Sequence, residues 1–106
     1  LFRSRATRYP FEPDTILDYR HCTHEGDLLL KDLTHLEARG HDLRRAVALD
    51  DKPQGYALHP HNVLPAPAWT GDPDDTFLKD VTPTLLALAK AEDVTRLIPE
   101  LRQRTT

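Results

Sequence analysis

The sequence contains a single cysteine, Cys22, among its 106 residues. One thiol cannot form an intramolecular disulfide, so nothing indicates a secreted domain that depends on disulfide bonds for its stability. A reducing or matrix-like compartment is therefore the default expectation.

Long apolar runs are also missing. The longest, at 28–30 and 85–89, fall far short of the roughly 20 residues that a helix needs to cross a bilayer. The sequence therefore predicts no transmembrane segment. It opens at Leu1 without an initiator methionine or a targeting pattern, so we expect any address signal to lie outside it.

No basic stripe is present. The 14 lysines and arginines are dispersed among 17 acidic residues, and the formal net charge is −3. This distribution offers no cationic groove to a phosphate backbone, so we expect no nucleic-acid partner. The 39% hydrophobic and 29% charged residues are instead typical of one small folded domain.

Two short apolar runs each end in charged residues. The first, 27–31, ends at Lys31, and the second, 45–50, ends at Asp50 with Asp51 following. Such runs are typical of buried strands, and α/β proteins place their sites where parallel strands end. We therefore predict that these segments are neighbouring strands of a parallel or mixed sheet.

Helical patterns follow both runs. A short helix is predicted over 33–39, with Gly40 placed to end it, and residues 63–65 form a further strand candidate. After Asp74, apolar residues recur at helical spacing as far as residue 101, interrupted by Pro83. The sequence thus predicts an α/β fold in which these later helices pack against the short sheet.

Several segments resemble, in order, the C-terminal half of the FCP-homology domain, the NLI-interacting-factor-like group of the haloacid-dehalogenase superfamily. They are Lys31-Asp32-Leu33, 46–51, 56–62 and 69–76. The resemblance implies a partial Rossmann-like haloacid-dehalogenase fold. It also implies that residues 1–106 are one C-terminal half of a single domain, with a loop insertion at about 10–20.

The resemblance also shows what is missing. Active members of the family carry an Asp-x-Asp-x-Thr motif at the end of their first strand, where one Asp attacks phosphorus and the other acts as general acid. We expect no such motif in this chain, because the acidic pairs Asp50-Asp51 and Asp74-Asp75 match other segments of the family. The chain alone is therefore expected to be non-catalytic.

One branch of the family comprises phosphatases resembling those of the RNA polymerase C-terminal repeat. The resemblance places Lys31 where that branch has a phosphoryl-binding Lys, and Asp50 and Asp51 where it has a magnesium-binding Asp-Asn pair. Asp51 replaces the Asn. On this alternative the chain is the C-terminal half of a magnesium-dependent protein serine/threonine phosphatase. A structural salt-bridge cluster formed by the same three residues is the simpler reading.

The other branch is the presequence-receptor subunit of the mitochondrial inner-membrane translocase, which acts mainly by binding. The segments 1–3, 6–9 and 68–71, with Asp74-Asp75, resemble it more closely. This resemblance implies a non-catalytic binding or scaffolding module, without cofactor, in a larger mitochondrial membrane-associated assembly. A protein partner, or the missing N-terminal half, would then complete the sheet.

Two groups of histidines raise the possibility of zinc. His21, Cys22 and His24 lie close together in the sequence, as do His59 and His61. The ligand types suit zinc, but the spacing does not match a structural zinc pattern. No metal other than magnesium under the phosphatase alternative is therefore expected.

Overall fold

The computed structural model describes residues 17–104, and the side chains of residues 17–102. Residues 1–9 and most of the predicted loop insertion lie outside this range. The described elements are β1 (Cys22–Glu25), β2 (Leu28–Lys31), α1 (Thr34–Glu37), β3 (Ala48–Asp50), β4 (Val63–Pro65), α2 (Phe77–Lys90) and α3 (Val94–Arg104). The short strands with packed helices confirm the predicted α/β class. None of the described helices is both long and apolar enough to cross a membrane.

Strands β1 and β2 form an antiparallel hairpin, with Cys22 opposite Lys31 and Glu25 opposite Leu28. Only two residues, Gly26 and Asp27, connect the strands. Gly26 has a φ of 62°, in the left-handed region that glycine enters without steric cost and that tight hairpin turns require. The hairpin therefore depends on a local turn and places Lys31 at its open end.

Strands β3 and β4 form a separate parallel pair, in which Ala48 lies opposite Val63 and Asp50 opposite Pro65. The prediction that 27–31 and 45–50 are neighbouring strands of one sheet is wrong. Strand β2 pairs with β1 instead, because the two-residue turn between them costs little closure entropy. Residues 43–45 form a 3-10 helix and not a strand.

The predicted packing of the later helices on the sheet is confirmed. Side chains alternate across a strand, so the neighbours Val63 and Leu64 enter different clusters. Leu64 packs with Leu88 of α2 and with Val94 and Ile98 of α3. On the opposite face, Val63 packs with Leu33 and Tyr56. Strand β4 therefore lies between two small cores.

Asn62 is the one polar residue counted among the buried side chains of the described region, at 4% exposure. Its Nδ2 donates to the carbonyl oxygens of Leu43, at 2.7 Å, and Ala46, at 2.9 Å. These two carbonyls belong to the segment that leads into β3. Asn62 therefore satisfies buried acceptors and fixes the approach of the chain to Asp50.

Replacing Asn62 by Leu should destabilise the fold by about 2–4 kcal/mol, because two buried carbonyls lose their donor. Equilibrium urea unfolding measures the change. The neighbouring exposed residue provides the matched control, and His61→Leu should alter the free energy of unfolding by no more than about 0.5 kcal/mol. Equal stabilities of the two variants would contradict this role of Asn62.

Candidate functional site

The two sheets approach each other at the ends of β2 and β3. Lys31 ends β2 and Asp50 ends β3, and Lys31 Nζ donates to Asp50 Oδ2 at 2.5 Å. Only 29% of the Lys31 side chain and 13% of the Asp50 side chain are exposed. The structure thus brings together two of the three candidate residues, although their strands share no backbone ladder.

Asp50 is held as a carboxylate. Burial acts to raise its pKa, but the hydrogen bond from Lys31 and the backbone N–H of Lys52 outweigh it, so the pKa of Asp50 lies below its ordinary value. The Lys52 N–H donates to Oδ1 at 2.9 Å. Both oxygens therefore accept a hydrogen bond, and the negative charge on Asp50 persists at neutral pH.

Tyr56 lies against the ion pair. Its ring is 6% exposed, and Lys31 Nζ is 5.4 Å from the ring centroid, within the range of a cation–π contact. Burial raises the pKa of the Tyr56 hydroxyl, and the negative charge of Asp50 raises it further. Tyr56 therefore remains neutral and presents an aromatic surface to Lys31. Sequence reasoning gave it no role.

Cys22 is also near this site, because it faces Lys31 across the hairpin. Burial raises the pKa of the Cys22 thiol, and the positive charge of Lys31 opposes that effect without overcoming it. The thiol is therefore protonated at neutral pH. A protonated thiol is a poor nucleophile.

Asp51, the third candidate residue, is exposed at the edge of an open groove of about 920 Å³. Asp50 and Asp75 also line this groove, together with apolar side chains from Leu49 and Trp69. Adjacent carboxylates at a strand end are the oxygen donors that magnesium prefers, and magnesium commonly retains several waters. Asp50 and Asp51 therefore fit a magnesium site by donor type.

The expectation that the chain lacks Asp-x-Asp-x-Thr is wrong in its letters, because residues 72–76 read Asp-Pro-Asp-Asp-Thr. The structure places them in an exposed turn before α2 and not at a strand end. Asp72 Oδ1 accepts from Asp74 N at 2.9 Å, and Asp75 Oδ1 accepts from Phe77 N at 2.8 Å. These carboxylates therefore bond to backbone N–H groups of a turn and of the first residue of α2.

The histidines occupy different environments. His59 Nε2 lies 3.1 Å from Asp32 Oδ1, whereas His61 is exposed. His21 Nδ1 accepts from the backbone N–H of Asp18 at 3.0 Å. Across residues 17–102, no three His, Cys, Asp or Glu side chains are close enough to hold a metal ion. The contact between His59 and Asp32 was not predicted from the sequence.

Comparison with known proteins adds an independent finding. Residues 11–95 match the family model described as NLI interacting factor-like phosphatase. The chain is 39% identical over 79 residues to a probable C-terminal domain small phosphatase of Dictyostelium discoideum, an alignment that covers 74% of this chain and 24% of that protein.

Two further relatives are similar to the same degree. One is the human carboxy-terminal domain RNA polymerase II polypeptide A small phosphatase 2, 37% identical over 76% of this chain and 29% of that protein. The other is CTD nuclear envelope phosphatase 1 of Xenopus tropicalis, 40% identical over 71% of this chain and 30% of that protein. The chain thus spans less than a third of each relative. These names give no support to the translocase-receptor interpretation or to a mitochondrial location.

Replacing Asp50 by Asn should lower the free energy of unfolding by about 1–3 kcal/mol at neutral pH, because Lys31 loses its charged partner in a half-buried setting. Asp51→Asn makes the same change of charge at an exposed position and should cost no more than about 0.5 kcal/mol. Urea unfolding of both variants tests the difference.

The effect of Asp50→Asn should also depend on pH. Since the folded protein lowers the pKa of Asp50, its stabilising contribution is present above the unfolded value of about 3.9 and is lost as pH falls through the folded value. Wild type and Asp50→Asn should therefore converge in stability as the pH falls below about 4. A difference that stays constant down to pH 2 would contradict this assignment.

Proposed function

We propose that this chain, which belongs to the NLI interacting factor-like phosphatase family, forms the C-terminal part of a magnesium-dependent protein serine/threonine phosphatase. The part that carries the nucleophile is supplied from outside these 106 residues. The chain contributes the phosphoryl-binding cation and two metal ligands.

The ion pair between Lys31 and Asp50 is the observation that carries this proposal. A lysine ammonium at a strand end is a compact donor that binds phosphoryl oxygens as a point charge. Its ammonium lies over the Tyr56 ring and the side chain is only 29% exposed, so water screens its attraction for an anion less than at an open surface. Lys31 therefore binds and orients the phosphoryl group and stabilises the charge that develops on it.

Asp50 and Asp51 are the residues that would hold the magnesium ion. When bound, the ion neutralises negative charge on the phosphoryl oxygens. Without that neutralisation, two adjacent carboxylates repel a phosphomonoester, and Asp51 adds a charge that an Asn would not have. We therefore expect phosphate to bind at this site only when magnesium is present.

We place the nucleophile on another segment, because no strand end within residues 17–104 carries Asp-x-Asp-x-Thr. The chain spans 24–30% of the length of the relatives described above, which leaves most of their length unmatched. Within the described residues, β3 forms a ladder with β4 alone. The other edge of β3, beside Asp50, is therefore where an additional strand could pair and deliver a carboxylate.

The substrate follows by analogy with the relatives. One of them is named as a phosphatase of the carboxy-terminal domain of RNA polymerase II polypeptide A. We propose that this chain belongs to an enzyme for phosphoserine or phosphothreonine in an extended protein segment. The open groove beside Asp50 and Asp51 is accessible to such a segment.

A non-catalytic binding module is the second candidate function, and one observation favours it. The groove is lined by an exposed aromatic residue, Trp69, at 74% exposure. Exposed aromatic residues beside a groove are common in protein-binding surfaces. This candidate predicts binding of a partner without turnover.

The 106-residue chain by itself should not hydrolyse 4-nitrophenyl phosphate. The intact protein that contains it, or a mixture of the chain with the segment that carries the nucleophile, should hydrolyse this substrate in the presence of magnesium and lose activity in excess EDTA. Lys31→Met should lower kcat/KM by roughly 10²-fold or more, since one oxyanion-binding donor is removed.

Lys90→Met is the matched control, because Lys90 is an exposed lysine in the last turn of α2. This variant should retain wild-type activity. Turnover by the chain alone that is abolished by Asp50→Asn would refute the missing-nucleophile proposal. An intact protein that is folded, binds magnesium and hydrolyses no phosphomonoester or phosphopeptide would favour the binding module.

A further inference from the structure

The position of Lys31 depends on contacts made by side chains. In the described residues, β2 and β3 belong to different sheets, so no backbone ladder fixes the distance between Lys31 and Asp50. A third segment, residues 56–62, contacts the end of β2 and the segment that leads into β3. Its Tyr56 ring lies against Lys31, and its Asn62 holds the segment that leads into β3.

The same segment is bonded to the residue that follows Lys31. His59 Nε2 lies 3.1 Å from Asp32 Oδ1, and this contact joins residues 27 positions apart. The His59 side chain is 13% exposed and that of Asp32 is 26% exposed. Asp32 Oδ1 also accepts from Thr34 N at 2.9 Å, at the start of α1. The exit of β2 is thus attached to two elements.

The hydrogen-bonding roles in this contact follow from charge. The backbone N–H of Thr34, and then His59, lower the pKa of Asp32 to about 2. Asp32 is therefore ionised at neutral pH, and a carboxylate can only accept. His59 must then carry a hydrogen on Nε2, and this N–H donates the hydrogen bond to Asp32 Oδ1.

The backbone around His59 is itself held in place. The N–H of His59 donates to Tyr56 O at 2.8 Å, and Asn62 N donates to His59 O at 3.1 Å. Arg102 Nη1, on α3, donates to Pro60 O at 2.8 Å. These hydrogen bonds hold the backbone of His59 in place, so the bond from its side chain to Asp32 can hold the end of β2.

We propose that His59 and Asp32 are positioning residues for Lys31. Their hydrogen bond ties the end of β2 to residues 56–62 and so sets where the Lys31 ammonium lies relative to Asp50. The effect on phosphoryl binding rests on the proposed function, whereas the effect on the ion pair does not. A displacement of about 1 Å at a reacting centre can lower a rate by roughly 10²-fold, so a small shift of Lys31 is enough to matter.

Three variants of the intact protein test this role. His59→Gln retains an N–H donor at a similar reach, His59→Phe fills the site without a donor, and His61→Phe makes the same change at an exposed neighbour. His59→Phe should lower kcat/KM by roughly 10-fold to 10²-fold, and inorganic phosphate should inhibit it more weakly. His59→Gln and His61→Phe should stay within about threefold of wild type.

Asp32→Ala provides a second route if His59→Phe folds poorly, since Asp32 is partly exposed. It should reproduce the kinetic defect, and the double variant should be no worse than either single one, because both changes remove the same hydrogen bond. His59→Gln that is as impaired as His59→Phe would overturn the proposal. Additive losses of kcat/KM in the double variant would also overturn it.

A measurement that needs no turnover separates this inference from the proposed function. The Lys31 ¹³Cε resonance of the intact protein is identified as the one that disappears in Lys31→Met. It should shift in Asp50→Asn, shift similarly in His59→Phe and stay unchanged in His59→Gln. An intact protein without activity that still shows this pattern would refute the phosphatase function and support positioning. An unchanged resonance in His59→Phe would refute positioning, whatever the activity.

Discussion

The ion pair between Lys31 and Asp50 is the interaction on which the arrangement of this chain depends. Removing two charges from water is costly, and a half-buried pair persists only where further hydrogen bonds and close packing offset that cost. The backbone N–H of Lys52 and the Tyr56 ring provide this support. The pair joins a local hairpin to a parallel strand pair that would otherwise meet only through packing. Because the Lys31–Asp50 pair depends on these neighbours, it differs from an exposed salt bridge at the surface.

The ion pair is packed against a core on one side and borders an open groove on the other. Beneath it lie Tyr56 and the small core around Leu33 and Val63. Beside it, Leu49 and Trp69 border an open groove, and β3 has one edge without a partner among the described strands. An apolar, half-paired strand of this kind is an exposed edge that proteins normally cover. Under the proposed function, the side formed by Lys31, Asp50 and Tyr56 would bind the phosphoryl group, and a further segment beside β3 would supply the nucleophile.

The sequence predicted the positions of Lys31 and Asp50 correctly as strand ends, because each follows a short apolar run. It could not predict how the strands pair, since pairing depends on contacts distant in the sequence. Strand β1 was missed because its four residues are mostly exposed and carry no apolar alternation, although the Gly26-Asp27 pair was a usable hairpin signal. The contact of Asp32 with His59 had no local signal.

Family resemblance was more informative about fold than about role. It identified the domain family, which the match over residues 11–95 confirms. The choice of the translocase branch rested partly on residues 1–9, which lie outside the described range, and the relatives support the phosphatase branch instead. Residues 72–76 were overlooked as a match to Asp-x-Asp-x-Thr, but their carboxylates bond to backbone N–H groups ahead of a helix.

Lys31 and Asp50 are proposed to form one half of a phosphoryl-binding site. A crystal structure of the intact protein with magnesium and orthovanadate, a phosphoryl mimic, tests it most directly. We expect Lys31 Nζ within about 3 Å of a vanadate oxygen, an Asp50 oxygen on the metal, and a carboxylate from an additional strand beside β3 facing the vanadium. Vanadate bound elsewhere, with the ion pair unchanged and no strand beside β3, would contradict the account.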